Sequence, residues 1–216
     1  MTANDHNKII KQIAKPIFKP YNIKQKGQSR TWIFDNGWYL VLIEFQPFSG
    51  RQGTTLNVGV HFNWYEQDYF SFDIGSRQDV GFVEFNNTEQ FSVEVEKLCQ
   101  LALQKTLFYQ ENLSSLIGAK NLIINHNFTS ESIWGSYHKG VFLGLMGDFE
   151  QLHRYFERLL SELNINIAWQ MVLKQAVVSL IQQTNSQEDF EKNIAKIVQT
   201  SRKLKKLPDF AWNFVE

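Results

Sequence analysis

The sequence predicts an α+β fold: an N-terminal helix, an antiparallel sheet of four or five strands in a meander, and a mostly α-helical C-terminal half with helix hairpins. Three observations carry this. Apolar residues recur at helical spacing over residues 7–18, the period shortens to two from Ser29 to about residue 85, and helical spacing returns with cap signals beyond residue 86. With 18 Phe and 6 Trp against 4 Pro in 216 residues, the chain is long and apolar enough to bury a core. We expect residues 1–110 to hold the helix, the sheet and the following helix. Residues 111–216 then form a helical half, packed on the sheet as one structural unit.

The first helix places Ile9, Ile10, Ile13, Ile17 and Phe18 on one stripe with lysines between them, and Pro16 and Pro20 should end or kink it. Tyr21 to Gln28 follows as a lysine-rich connection. Residues 30–35 and 38–46 then form a hairpin around Asn36-Gly37, a dipeptide that favours a type I′ turn. On the second strand Trp38, Leu40, Leu42, Glu44 and Gln46 share one face, and Tyr39, Val41, Ile43 and Phe45 share the other. Both faces start apolar, so this strand is central and covered on both sides. Pro47 and SGRQG break the run. The next strand, 54–63, alternates: Leu56, Val58, Val60 and Phe62 form a core face, and Thr55, Asn57, Gly59, His61 and Asn63 form a polar one. Further strands are expected at 69–74 and 80–85, joined by a GSRQD turn.

Asn87 with Gln90 makes a capping box for a helix burying Phe91, Val95, Leu98, Cys99 and Ala102. Residues 109–135 look less regular. A helix then ends at Gly147, Asp148 caps a second helix that runs to about Leu163, and Ser186 with Asp189 caps another after a long helix over 167–183. The recurring DFE string lies 41 residues apart, but two copies are too few for a solenoid, and similar turn chemistry in two helix pairs accounts for it.

Formal charge is zero, with 22 basic and 22 acidic residues, so no overall field attracts polyanions. Lys8, Lys11, Lys15, Lys19, Lys24, Lys26 and Arg30 form one basic run, and Arg202, Lys203, Lys205 and Lys206 another. Both read as solvated helix faces, and nucleic acid is not an expected partner. The single Cys99 excludes an intramolecular disulfide and suits a reducing compartment. The polar start carries no secretory signature, and no run approaches the length of a membrane span. The expectation is a cytoplasmic protein with no membrane partner.

No phosphate-binding loop, dinucleotide fingerprint or nucleophile elbow occurs, so no cofactor is expected. His138 and His153 stand 15 apart without an acidic companion at helical spacing, which gives no metal site. If the central strands are neighbours, Glu44, Gln46, Asn57 and His61 line one face, and glutamate beside histidine is the least equipment for acid–base chemistry. Buried amides such as Gln46 and Asn57 must in any case find partners. Trp64, Tyr65, Trp134 and Tyr137 fall in irregular segments, where such aromatics serve either as interface anchors or as covers for the core. Acidic residues gather in the middle third, among them Glu66, Asp68 and Asp73, while basic residues concentrate at the two ends. That asymmetry suits a basic partner.

The run Ile23-Lys24-Gln25-Lys26-Gly27, the Trp32 strand, Leu42-Ile43-Glu44-Phe45-Gln46 and Leu56-Asn57-Val58-Gly59-Val60 resemble the domain of unknown function 4304 family over residues 5 to 110. The resemblance implies an α+β fold with an antiparallel sheet and no established activity. The chain departs from that pattern at Gln46-Pro47-Phe48-Ser49, where the family's basic residue after the glutamine is missing, so a shared ligand that needs it is not implied. The reading that follows is a non-enzymatic cytoplasmic protein-binding domain of bacterial type, an immunity protein that neutralises a basic toxin. The alternative is a small-molecule-binding or hydrolytic domain that uses Glu44, Asn57 and His61 in a pocket between sheet and C-terminal helices.

Overall fold

The computed structural model describes residues 5–182 and 184–210. The described residues divide into two compact units. One comprises those through Phe62 together with Phe70–Glu111, and the other comprises Asn63–Tyr69 together with those from Asn112 onward. The segment Asn63–Tyr69, counted with the sheet from sequence, thus belongs to the helical unit.

The first unit opens with helix α1 (Asp5–Phe18), which buries Ile9, Ile10, Ala14 and Phe18. Pro16 lies within its last turn without ending it, and a short 3₁₀ turn, Lys19–Tyr21, follows. The lysine-rich connection then contributes an unexpected edge strand, β1 (Lys24–Gln25). β1, β2 (Thr31–Asp35), β3 (Tyr39–Phe48), β4 (Arg51–Phe62) and β5 (Ile74–Arg77) follow one another as an antiparallel meander, and β6 (Val83–Glu84) pairs with the start of β4. Helix α2 (Thr88–Asn112) completes the unit. Its buried stripe is Phe91, Val95, Leu98, Cys99, Ala102, Leu103, Thr106 and Tyr109, and Asn87 Oδ1 accepts from Gln90 N–H at 2.9 Å.

Four details differ from the sequence expectation, each for a local reason. At Asn36-Gly37 only the glycine takes a positive φ (82°), so the turn is not type I′, which needs both; the Asp35 carboxylate accepts the Gly37 N–H at 2.9 Å instead. Pro47 does not end β3, because the ladder shifts register between Gln46 and Phe48 and the proline sits in that irregularity, where no N–H is required. β4 is buried at every position from Gly53 to Phe62, so its polar face is not exposed. Finally, β5 begins at Ile74 and not at 69, because side chains replace backbone there: Asp73 Oδ2 accepts the Phe62 N–H at 2.7 Å, a bond that a neighbouring strand's carbonyl would otherwise make. The expected GSRQD turn is therefore largely strand. Gly59 and Gly75 face each other across β4 and β5, and a Cβ on Gly59 would lie 2.4 Å from the Ile74 carbonyl oxygen.

The second unit is helical. Residues 109–135 are more regular than their sequence suggests: α2 extends to Asn112, α3 spans Leu116–Ile124 with Ser115 as its cap, and a π-helical turn covers Glu131–Gly135. α4 (Ser136–Leu145), α5 (Phe149–Glu162), α6 (Ala168–Gln182) and α7 (Gln187–Leu204) follow. The expected caps are present, with Gln151 N–H on Asp148 Oδ1 and Asp189 N–H on Ser186 Oγ, both at 3.1 Å. Every residue of α4 is buried, as expected of a central helix. Its glycines let neighbours approach: a Cβ on Gly140 would meet Phe156 at 2.5 Å, and one on Gly144 would meet Leu152 at 2.4 Å and Phe190 at 2.5 Å. No described helix is long and apolar enough to cross a membrane.

Candidate functional site

The sheet brings three of the predicted polar residues together and leaves the fourth apart. Register places Glu44 opposite Asn57, with Gln46 two positions along β3 on the same face. Asn57 Nδ2 donates to Glu44 Oε2 at 2.8 Å and to Gln46 Oε1 at 3.0 Å, and Arg77 on β5 donates to the same Gln46 oxygen at 2.7 Å. Within this ladder the Asn57 amide spends both of its protons and the Gln46 oxygen accepts twice, all on protein groups. His61 lies four residues along β4 from Asn57, roughly 13 Å away at strand rise, opposite Leu40. Glu44 and His61 therefore do not form the acid–base pair that strand parity allows.

His61 instead meets Ser71 and Asp73. Its Nδ1 is 3.0 Å from Ser71 Oγ and 3.5 Å from Asp73 Oδ2, and the Ser71 hydroxyl lies 2.8 Å from Asp73 Oδ1. Serine, histidine and aspartate thus converge on one ring nitrogen. A hydroxyl-activating relay needs hydroxyl and carboxylate on opposite nitrogens, and here Nε2 is buried with no hydrogen-bond partner among the described residues. The cluster is a strut joining the end of β4 to the approach to β5. Asp73, grouped by sequence with the acidic surface, belongs to this strut.

The remaining predicted residues gather in the helical unit around Asn63–Tyr69. The Trp64 indole is fully buried and donates to His138 Nδ1 at 2.8 Å. Since an indole N–H only donates, Nδ1 accepts and the imidazole holds its proton on Nε2. Tyr137 Oη donates to the Trp64 carbonyl at 2.7 Å, Ser201 Oγ to the Tyr65 carbonyl at 2.9 Å, and Lys205 Nζ to the Gln67 carbonyl at 2.8 Å and to Ser201 Oγ at 2.6 Å. α4, α7 and the residue that caps α7 thereby take three carbonyls of one short loop. Glu66, Asp68 and Tyr69 stay exposed, with Tyr69 at 56%.

Aromatic rings extend this loop across the unit. Tyr65 packs edge-on to Trp134 (5.0 Å between centroids) and Tyr137 (5.6 Å), and Trp134 stacks on Trp169 at 5.9 Å and 10°. The π-helical turn that carries Trp134 is held by Glu131, whose carboxylate pairs with buried Lys139 and accepts the Phe128 N–H at 3.0 Å. Burial pushes the phenols of Tyr65 and Tyr137 up, and nearby Glu66 adds to both shifts. Both phenols therefore keep their protons at ordinary pH, and that of Tyr137 is donated to the Trp64 carbonyl. A cleft of about 340 Å³ opens beside the loop, between Tyr65, Glu66 and Tyr137 on one side and Val172, Ala176 and Leu180 of α6 with Lys196 and Ile197 of α7 on the other.

Sequence reasoning missed two parts of this site. Arg202 and Lys205 read in sequence as part of a solvated basic face, yet they are 2% and 6% exposed: Arg202 donates to the Pro208 carbonyl, and Lys205 holds the loop. The second part is Trp169, with exposed Ile165, Ile167, Met171 and Val172 beside it in the chain. The signal was present, since α6 carries Lys174 as its one charge and so has more apolar positions than one buried stripe requires. The chain matches no protein-family model, no curated protein and no solved structure.

Proposed function

We propose that this is a non-enzymatic binding protein whose partner is a basic protein, docked on the Asn63–Tyr69 loop and the aromatic surface beside it. One observation carries the reading: the Trp64, Tyr65 and Gln67 carbonyls are each held by a side chain of the helical unit, so Glu66, Asp68 and Tyr69 are presented on a fixed backbone. Pre-ordering of this kind lowers the conformational cost of association. Exposed carboxylates steer a basic partner, and Trp169 with Tyr69 supplies the aromatic anchors that protein interfaces favour. A toxin domain with a cationic working surface fits that chemistry, and neutralising it by coverage needs no catalysis. The resemblance of residues 5 to 110 to the domain of unknown function 4304 family belongs to the same proposal.

The test is affinity capture with the tagged full chain from its own cells, run beside an Asp68→Lys/Tyr69→Ala double variant. The reading predicts one stoichiometric basic protein, released by salt and lost from the double variant. Capture of nothing, or of a partner indifferent to both substitutions, would falsify it.

A further inference from the structure

The cleft beside the loop holds one carboxylate, Glu66, and one ammonium, Lys196, and neither joins an ion pair or hydrogen bond among the described residues. Elsewhere in this unit helix charges find partners, as Lys192 does in Glu188 at 2.6 Å and Arg154 in Glu150 at 2.6 Å. Lys196 has no such option, because Lys192, Asn193, Gln199 and Thr200 occupy the positions three and four residues away. The rest of the lining is apolar at Val172, Ala176, Leu180 and Ile197 and polar at Ser179 and Asn193, both of which already have partners. The Tyr137 hydroxyl at the same cleft is committed to the Trp64 carbonyl. What remains for a ligand is one anionic contact, one cationic contact and an apolar surface.

We propose that this cleft binds a small zwitterion with an apolar body: an aliphatic or aromatic α-amino acid, its ammonium on Glu66, its carboxylate on Lys196 and its side chain on the α6 wall. A simple anion would meet Glu66 as a like charge, and a simple cation would meet Lys196, so the pair rejects each and accepts the species that carries both. The volume of about 340 Å³ lies at the small end of the range of small-molecule sites, roughly 300–1,000 Å³. Glu66 is common to this inference and the partner reading, but Lys196 belongs to the cleft alone and Asp68 and Tyr69 to the partner surface alone, so variants at those positions separate the two.

The experiment is isothermal titration of the full chain with L-leucine, L-phenylalanine and leucyl-leucine, beside isoamylamine, which lacks the carboxylate, and isocaproate, which lacks the ammonium. The expected result is one zwitterion per chain, with each single-charge analogue bound about tenfold more weakly or worse, the size of one charged contact. Whether leucine or leucyl-leucine binds more tightly identifies a free amino acid or the ends of a short peptide as the source. Glu66→Gln and Lys196→Met should each cost about tenfold while leaving the circular dichroism spectrum unchanged, and Ala176→Phe should abolish binding by filling the wall. Asp68→Lys should leave the zwitterion bound, so failure of the partner reading does not remove this one. No binding at millimolar concentration, analogues that bind as well as leucine, or an affinity indifferent to Lys196→Met would each overturn it.

Discussion

The sheet's polar ladder and the loop-bordered cleft use similar residues to opposite ends. In the ladder Asn57 gives both amide protons to Glu44 and Gln46, and Arg77 adds a second donor to the Gln46 oxygen, so these groups bond within the sheet. Around the cleft the polar groups that hold the backbone, Tyr137, Ser201 and Lys205, are buried and bonded to it, while Glu66, Asp68 and Lys196 are exposed and join no ion pair or hydrogen bond among the described residues. The contrast separates two roles that sequence cannot tell apart. A polar residue whose partners come from its own unit holds the fold, and one left without partners beside apolar surface is available to another molecule.

The comparison can be broken most directly at the loop's anchor. Trp64→Ala removes a fully buried indole together with its bond to His138 and should cost about 3–5 kcal/mol in denaturant unfolding. A smaller loss would mean that the loop is not held as described. Gly144→Ala in α4 should cost about 1–3 kcal/mol, because the new methyl group collides with Leu152 and Phe190. In an open helix the same change stabilises by up to about 1 kcal/mol, so the sign alone decides whether α4 is as tightly enclosed as its burial indicates.

Within the ladder, Asn57→Ala leaves Glu44 and Gln46 short of a donor and should cost about 1–3 kcal/mol. An unchanged midpoint would reopen those residues as a binding site. Alkaline pH gives a further handle on the first unit. Burial, and secondarily Glu96, pushes the Cys99 thiol from 9.0 to about 12. The unfolded chain loses this proton first, so the contribution is intact below about pH 9 and is lost as pH rises towards 12, at about 1.4 kcal/mol per pH unit within that window. Buried Tyr39 and Tyr109, with phenols also pushed up, act in the same direction. Cys99→Ala should flatten the fall of stability above pH 9, and a thiol reagent at pH 8 should react no faster than the protein opens. The smallest effect sharpens the comparison from the other side: Glu66→Gln and Asp68→Asn should each change stability by less than about 0.5 kcal/mol. A larger cost would place them with the structural residues.

Much of the fold was legible because its signals are local. The 3.6-residue stripe of Ile9, Ile10 and Phe18, the two-residue alternation of β4, and the caps at Asp148 and Ser186 each depend on neighbours a few positions away. The misplacements arose where a side chain displaced backbone, as Asp73 does before β5, or where a single residue's φ chose the turn, as at Gly37. Of the candidate site, parity on adjacent strands was enough to bring Glu44, Gln46 and Asn57 together. It was not enough for His61, whose separation along β4 outweighs its shared face.

By itself the sequence determined the fold class and the longer helices and strands, since periodicity and capping are properties of short stretches. Only the tertiary structure decided that Ser201 and Lys205, more than a hundred positions from Tyr65 and Gln67, hold that loop's carbonyls. It also decided that His61 meets Ser71 and Asp73 at one nitrogen, and that Glu66 and Lys196 share a cleft. The physical reason is that partner choice for a polar group depends on which distant groups the packed backbone brings within about 3 Å, the length of a hydrogen bond.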